Sequence, residues 1–179
     1  MSIGLVMSRA LIGIDAPAVR IEVFLSGGRP SFSVSGMAET AVRESKDRVR
    51  GALISSGFRF PQERITVSLA PADMPKTGGR FDLAIALGIL VASRHLAQAG
   101  LDSVECYGEL ALNGEVRQVH GLLTAAIKAR AADRSMLVPT GSAAEAAFTH
   151  PAVHPVSTLL EATAFLDGRH SIEPYSLPT

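Results

Sequence analysis

The stretch ITVSLAPADMPKTGGRFDLAIALGILVASR, residues 65–94, decides the fold class. Its opening, Ile65 to Ala70, alternates apolar with polar residues in the period of a short strand. The middle, PADMPKTGGRFD, is punctuated by Pro71, Pro75, Gly78 and Gly79 and reads as an irregular loop. From Leu83 to Ala92 the chain is apolar without interruption. Such a helix has no polar face and must lie at the centre of a core, and the run is about half the length of a bilayer span. Strand, loop and buried helix in that order set Lys76, Arg80 and Asp82 at the mouth of a core element, and loops so placed often carry function.

Toward the N-terminus, Ala18 to Leu25 and Ser31 to Gly36 alternate like strands on either side of the turn Ser26-Gly27-Gly28-Arg29-Pro30, which predicts a hairpin. From Ala38 to about Ser56, Ala38, Ala41, Val42, Ser45, Val49, Ala52 and Leu53 recur at steps of three and four. This places a narrow small-residue stripe on one helix, stopped by Gly57. Its polar face carries Arg43, Lys46 and Arg50, with Arg48 to the side, among Glu39, Glu44 and Asp47. Mixed signs describe a solvated face, and the cationic row is a candidate phosphate contact.

Toward the C-terminus, SVECYGELAL and EVRQVH flank Asn113-Gly114, which predicts a second hairpin closed by a two-residue turn with positive φ angles. A helix from about Gly121 to Ala132, a buried strand Ser135–Pro139, a short Ala-rich helix Ser142–Phe148 and a strand Val153–Val156 follow. The last helix, Thr158 to Asp167, has Ser157 available as its cap. Residues 1–168 are read as one domain and 169–179, with prolines, serine and no periodicity, as a linker.

The 179 residues hold seventeen Lys and Arg against seventeen Asp and Glu. A net charge of zero excludes a nucleic-acid module recognisable from charge alone. With 47% apolar residues, 5% aromatic and no Trp, the core is aliphatic. The one cysteine, Cys106, excludes a disulfide framework and multi-cysteine zinc sites. His150 and His154 stand four apart, but Pro151 and Pro155 interrupt any helix that would align them as ligands. No Gly-Lys pair exists for a phosphate loop of the P-loop kind. No secretory signal or membrane span is read, so the cytoplasm is the expected compartment.

The runs PKTGGRFDLAIALGIL, GELALNGEVRQVHGLLTAA and LVP resemble the protease domain of Lon. There a serine opens a core helix after a P-K-D-G-P-S-A-G stretch, and a lysine after G-G-L opens the next helix. In this chain Pro75, Lys76, Gly78, Gly121 and Leu122 coincide with that pattern. Arg80 stands at the serine position and Leu123 at the lysine position. A Ser-Lys dyad needs a nucleophile and a base, which Arg and Leu cannot supply. The resemblance therefore implies a catalytically inactive, Lon-like domain.

A resemblance covering nearly the whole chain is to the N-terminal domain of the ComM/YifB family of Mg-chelatase-like competence proteins. It rests on GMAETAVRESKDRVRGAL (36–53), ITVSLAPADMPKTGGRFDL (65–83) and GELALNGEVR (108–117). It implies an α+β fold like the Lon protease domain, two-layered, with helices on one side of a mixed sheet. It also implies that ATP and Mg2+ are bound by a following AAA+ ATPase module, with no cofactor or metal in this segment. The whole protein would be a homo-hexamer acting in DNA branch migration during natural transformation. The expected role here is that of a non-catalytic accessory domain assisting ring assembly or guiding DNA, with no membrane partner.

Under that expectation Lys76, Gly78, Gly79, Arg80 and Asp82 form the candidate binding surface, joined by Arg43, Lys46 and Arg50. Two glycines permit close backbone approach, and Arg80 offers a planar fork for phosphate or carboxylate. The competing reading pairs Arg80 and Asp82 with neighbours to close a former active-site cleft. A hydrolase with a displaced Ser-Lys pair, a magnesium-chelatase-like accessory subunit and a plain oligomerisation module stand as alternatives.

Overall fold

The structure is a computed structural model that describes residues 2–76 and 78–178. Met1, Thr77 and Thr179 lie outside the described residues, and with them the two ends of the predicted domain and linker ranges. In chain order the elements are β1 (Ser2–Arg9), β2 (Ala18–Ser26), β3 (Ser31–Ser35), α1 (Glu39–Ser55), β4 (Arg64–Ala70), α2 (Asp82–Ala92) and β5 (Val104–Cys106). Then come β6 (Glu109–Leu110), β7 (Val116–Arg117), α3 (Leu122–Ala131), β8 (Ser135–Pro139), α4 (Ala143–Ala147), β9 (Val153–Val156) and α5 (Leu159–Leu166). A seven-stranded mixed sheet has the order β3-β4-β2-β1-β5-β8-β9, and β6 and β7 form a separate pair. The α+β class is that expected.

The predicted first hairpin is not formed. β2 and β3 are separated by β4, which pairs antiparallel with β2 and parallel with β3. The partner of β2 in a hairpin is instead β1, in a ladder from Ser2↔Leu25 to Arg9↔Ala18. β1 escaped the sequence reading because its inward positions include Gly4 and Ser8, which dilute the apolar alternation. With β1 and β4 covering both edges of β2, the turn at 26–30 serves as a connection to the sheet edge, and α1 makes the crossover from β3 to β4.

All eleven residues of α2 are buried. Burying Leu83, Ile85, Leu87, Ile89 and Leu90 contributes roughly 1.5–3 kcal/mol each. The helix lies close on the sheet because two glycines face each other: a Cβ on Gly4 of β1 would run into the Gly88 carbonyl of α2. α1 turns Val49, Ala52 and Leu53 to the same core and ends at Gly57, whose φ of 88° lets its N–H and that of Phe58 return to the Ile54 and Leu53 carbonyls.

Helices cover both faces of the sheet. On β8, Leu137 packs into the core shared with α2 and α5, whereas Met136 and Val138 pack with α3 and α4 in a second core. The one-sided layering implied by the resemblance thus describes the β3-β4-β2-β1 half, where Ile3, Arg20 and Thr66 are exposed on the other face.

The Asn113-Gly114 turn is present but differs from the two-residue form. Gly114 N–H donates to Ala111 and Ala111 N–H to Glu115, with positive φ at Gly114 alone, so Leu112, Asn113 and Gly114 make a three-residue loop. The segment before it splits, Val104–Cys106 joining the large sheet and Glu109–Leu110 the small one. The cap of α5 is Thr158, not Ser157: Glu161 N–H donates to the Thr158 hydroxyl while Glu161 accepts from Ser157 N–H. Residues 169–178, expected as a linker, run beside β9, where Tyr175 N–H donates to the Val153 carbonyl and His154 meets the Ile172 carbonyl.

Candidate functional site

The loop between β4 and α2 is built around Lys76. Its ammonium donates to the carbonyls of Gly36, Pro71 and Met74 and is buried. Burial lowers its pKa, while Asp73 acts the other way. Lys76 thus organises the loop from within and turns no free charge outward. Gly36, with φ 98° and the Leu69 carbonyl against its Cα, gives the ammonium an acceptor that a side-chain residue could not present there.

Asp82 also points inward. Its carboxylate accepts from Ser45 Oγ at 2.6 Å, Arg48 Nε at 2.6 Å and Leu110 N–H at 3.1 Å, so it ties α2 to α1 and β6. Burial raises its pKa and the hydrogen bonds from Arg48 and Ser45 hold it back. Lys76 and Asp82, expected on the binding surface, are therefore structural: each is enclosed by groups that satisfy it. Asp82 fits the competing reading of neighbour pairing, and Arg48, set to the side in the sequence reading, is its partner.

Arg80 behaves differently. Its side chain is 8% exposed; Nη1 donates to the His120 carbonyl at 3.0 Å, and the guanidinium lies 5.7 Å from the centre of the Tyr107 ring. Nε and Nη2 have no hydrogen-bond partner among the described residues. Burial lowers its pKa, with Tyr107 and Glu145 acting the other way. Arg80 lines a cleft of about 420 Å³ together with Ala10, Leu11, Lys76, Gly78, Gly79, Glu109, Gln118 and His120. The Glu109 side chain packs against Gly79, where a Cβ would displace its carboxylate.

The positions that correspond to the dyad are brought to neighbouring helix starts. Arg80 precedes α2 and bonds His120, two residues before α3, and Leu123 is in the first turn of α3 with part of its side chain exposed. Gly121, at φ 77°, turns the chain into α3, and Glu145 accepts from Leu122 N–H. Neither position supplies a nucleophile or a base.

At the start of α2 the N–H groups of Asp82 and Leu83 donate to the Gly79 and Gly108 carbonyls. Among the described residues no three His, Cys, Asp or Glu side chains are grouped to hold a metal ion, and no helix is long and apolar enough to cross a membrane.

The row on α1 is dispersed. Lys46 donates to the Phe32 carbonyl, Arg50 lies over the Phe60 ring at 4.6 Å, and Arg43 is exposed. Lys46 and Arg50 thus hold the β3 edge, and the structure does not place the row in the cleft beside Arg80. Sequence reasoning missed Leu11, Glu109, Gln118 and His120 as cleft residues. The last three fall inside the stretch GELALNGEVRQVHG, so the recurrence of polar residues just before α3 was the available signal.

The chain belongs to the family described as subunit ChlI of Mg-chelatase, which it matches over residues 21–142. It is similar to the uncharacterized protein YifB of Salmonella typhimurium, 44% identical over 97% of this chain, and to competence protein ComM of Haemophilus influenzae, 45% identical over 96%. An uncharacterized protein of Mycobacterium bovis is 35% identical over 94%. The chain spans 34% of the length of each of these relatives.

Proposed function

We propose that this chain is a non-catalytic accessory domain of an Mg-chelatase-like ATPase of the ComM and YifB kind. In this reading a C-terminal AAA+ module binds ATP and Mg2+, the whole protein is a cytoplasmic homo-hexamer, and this domain assists ring assembly or guides DNA during branch migration. The observation that carries it is Arg80: where the resemblance calls for a serine nucleophile, a buried cation opens the core helix and lines the cleft. The name of the Haemophilus relative, a competence protein, supports the link to transformation.

The test is fluorescence anisotropy with single-stranded and four-way-junction DNA at low and moderate salt, for this chain and for the full-length protein that contains it. Salt-sensitive binding by the full-length protein, weakened in Arg43→Ala, supports DNA guidance. Unchanged affinity and salt slope in that variant overturns it. Loss of hexamers on deletion of residues 1–168 supports the assembly role, and unaltered hexamers with unaltered ATPase activity overturn it. Cleavage of a generic peptide, abolished by one serine substitution, overturns the non-catalytic reading itself.

A further inference from the structure

Among the described residues four arginines lie against the interior, and three of them meet a carboxylate. Arg9 forks Glu105 at 2.9 and 3.0 Å with Arg134 3.5 Å from the same carboxylate, and Arg48 holds Asp82 at 2.6 Å. Arg80, no less buried, has one carbonyl, one aromatic face and two orphan N–H positions. Guanidinium groups kept from water are normally matched by an anion, because an unmatched buried charge is costly. No ion pair tethers Arg80 among the described residues, so turning its fork into the cleft gives up the His120 hydrogen bond and the Tyr107 face but no charge partner.

The cleft also restricts what such an anion can be. Glu109 stands on its wall beside Gly79, and the remaining lining mixes apolar Ala10, Leu11 and Phe81 with neutral polar groups and Lys76. A nucleic-acid backbone brings phosphates in a row, whereas of the two cationic side chains here Lys76 is spent on three backbone carbonyls and Arg80 shares the cleft with the Glu109 carboxylate, so the release of several counterions that sustains such binding is absent. Next to the cleft the apolar surface continues. Leu11 packs over Gly121, Ile14 is 92% exposed, and Ile127 is exposed on α3, where Lys128 meets Asp15 of the same loop at 3.9 Å.

We infer that this cleft docks an acidic peptide of a protein partner: one Asp or Glu side chain reaches Arg80, and apolar residues beside it lie on Leu11, Ile14 and Ile127. Arg80 then gains the planar carboxylate partner that Arg9 and Arg48 already have. This rests on the reading of the cleft as a binding site rather than a catalytic one.

The probes are two acetylated, amidated pentapeptides, Leu-Ala-Asp-Leu-Leu and Leu-Ala-Asn-Leu-Leu, titrated into the chain by calorimetry, with mass spectrometry of the peptides afterwards. The aspartyl peptide is expected to bind at least about tenfold tighter than the asparaginyl one, and Arg80→Gln to abolish that preference. Glu109→Gln, which keeps Arg80 and its packing, is expected to tighten the aspartyl peptide about threefold, and this holds the test if the Arg80 variant does not fold. Equal binding of both peptides, or no binding, overturns the inference. So does Arg80-dependent binding of a single-stranded oligonucleotide with no peptide preference, or self-association of the chain that Arg80→Gln abolishes. Intact peptides with no preference defeat this inference alone, whereas cleaved peptides defeat the non-catalytic reading on which it rests.

Discussion

Asp82 and Arg48, 34 residues apart in sequence, meet at 2.6 Å and join the start of the buried helix α2 to the middle of α1. The carboxylate also takes the Ser45 hydroxyl and the Leu110 amide, so three elements converge on one side chain. Asp82→Asn would leave the Arg48 charge without its counterpart and weaken the bond to Ser45. Breaking one side of a buried pair costs about 3–5 kcal/mol. Urea unfolding of the variant is expected to show a midpoint lowered accordingly with an unchanged slope, and a midpoint within error of the parent would refute this account of the pair.

Gly36 supports the loop from the other side, through a positive φ and a carbonyl that takes the Lys76 ammonium. An alanine there meets the Leu69 carbonyl and a backbone conformation it disfavours. The expected cost of Gly36→Ala is about 1–3 kcal/mol. Gly13→Ala, with positive φ but open space, is the control for conformation alone and is expected to cost less in the same thermal melt.

Tyr107 gives the fold an alkaline limit. Burial, and then the neighbouring Glu105 that accepts its hydroxyl proton at 2.8 Å, raise its pKa well above the ordinary 10.0. A folded-state pKa above the unfolded one means that the folded chain keeps a proton the unfolded chain releases. The contribution is therefore complete below about pH 10 and is lost as pH rises from there through the raised folded value. Tyr107→Phe is expected to unfold with a shallower pH dependence above pH 10 than the parent, read by circular dichroism; parallel curves would contradict this.

Cys106 lies in β5 with no exposure, and burial followed by Glu105 pushes its thiol far above the usual range. A thiol-reactive dye at pH 8 is expected to label the native chain negligibly and to label one group per chain in denaturant. Fast labelling of the native chain would show that β5 opens readily.

The elements that could be read from the sequence are those whose signal is local. The apolar run of α2, the strand Ser135–Pro139 and the glycine stop after α1 depend on neighbours along the chain, and they stand where expected. The pairing of strands was not legible, because the partner of β2 is decided by which strands bury Ile21 and Val23 together, and β4 arrives from forty residues away in register with both. The same limit governed the site. Asp82 and Arg80 sit two apart in one loop and share a charged character, yet one is matched across the core and the other is not. What separates them is the position of Arg48 and Ser45 on α1, a three-dimensional fact. That the Lys76 ammonium is bound was not legible for a related reason, since its acceptors are backbone carbonyls, which every sequence contains.

The large sheet owes part of its continuity to side chains. β1 and β5 share one register pair, Met7↔Glu105, and two residues back along β1 the amide of Gln98 takes over, accepting from Leu5 N–H and donating to Leu5 C=O, both at 2.8 Å. Mechanically the sheet is two ribbons, β3-β4-β2-β1 and β5-β8-β9, with a stitched seam between them. Strain applied across the strands concentrates at that seam, where the Gln98 amide and the Arg9 fork on Glu105 do the holding that a ladder does elsewhere.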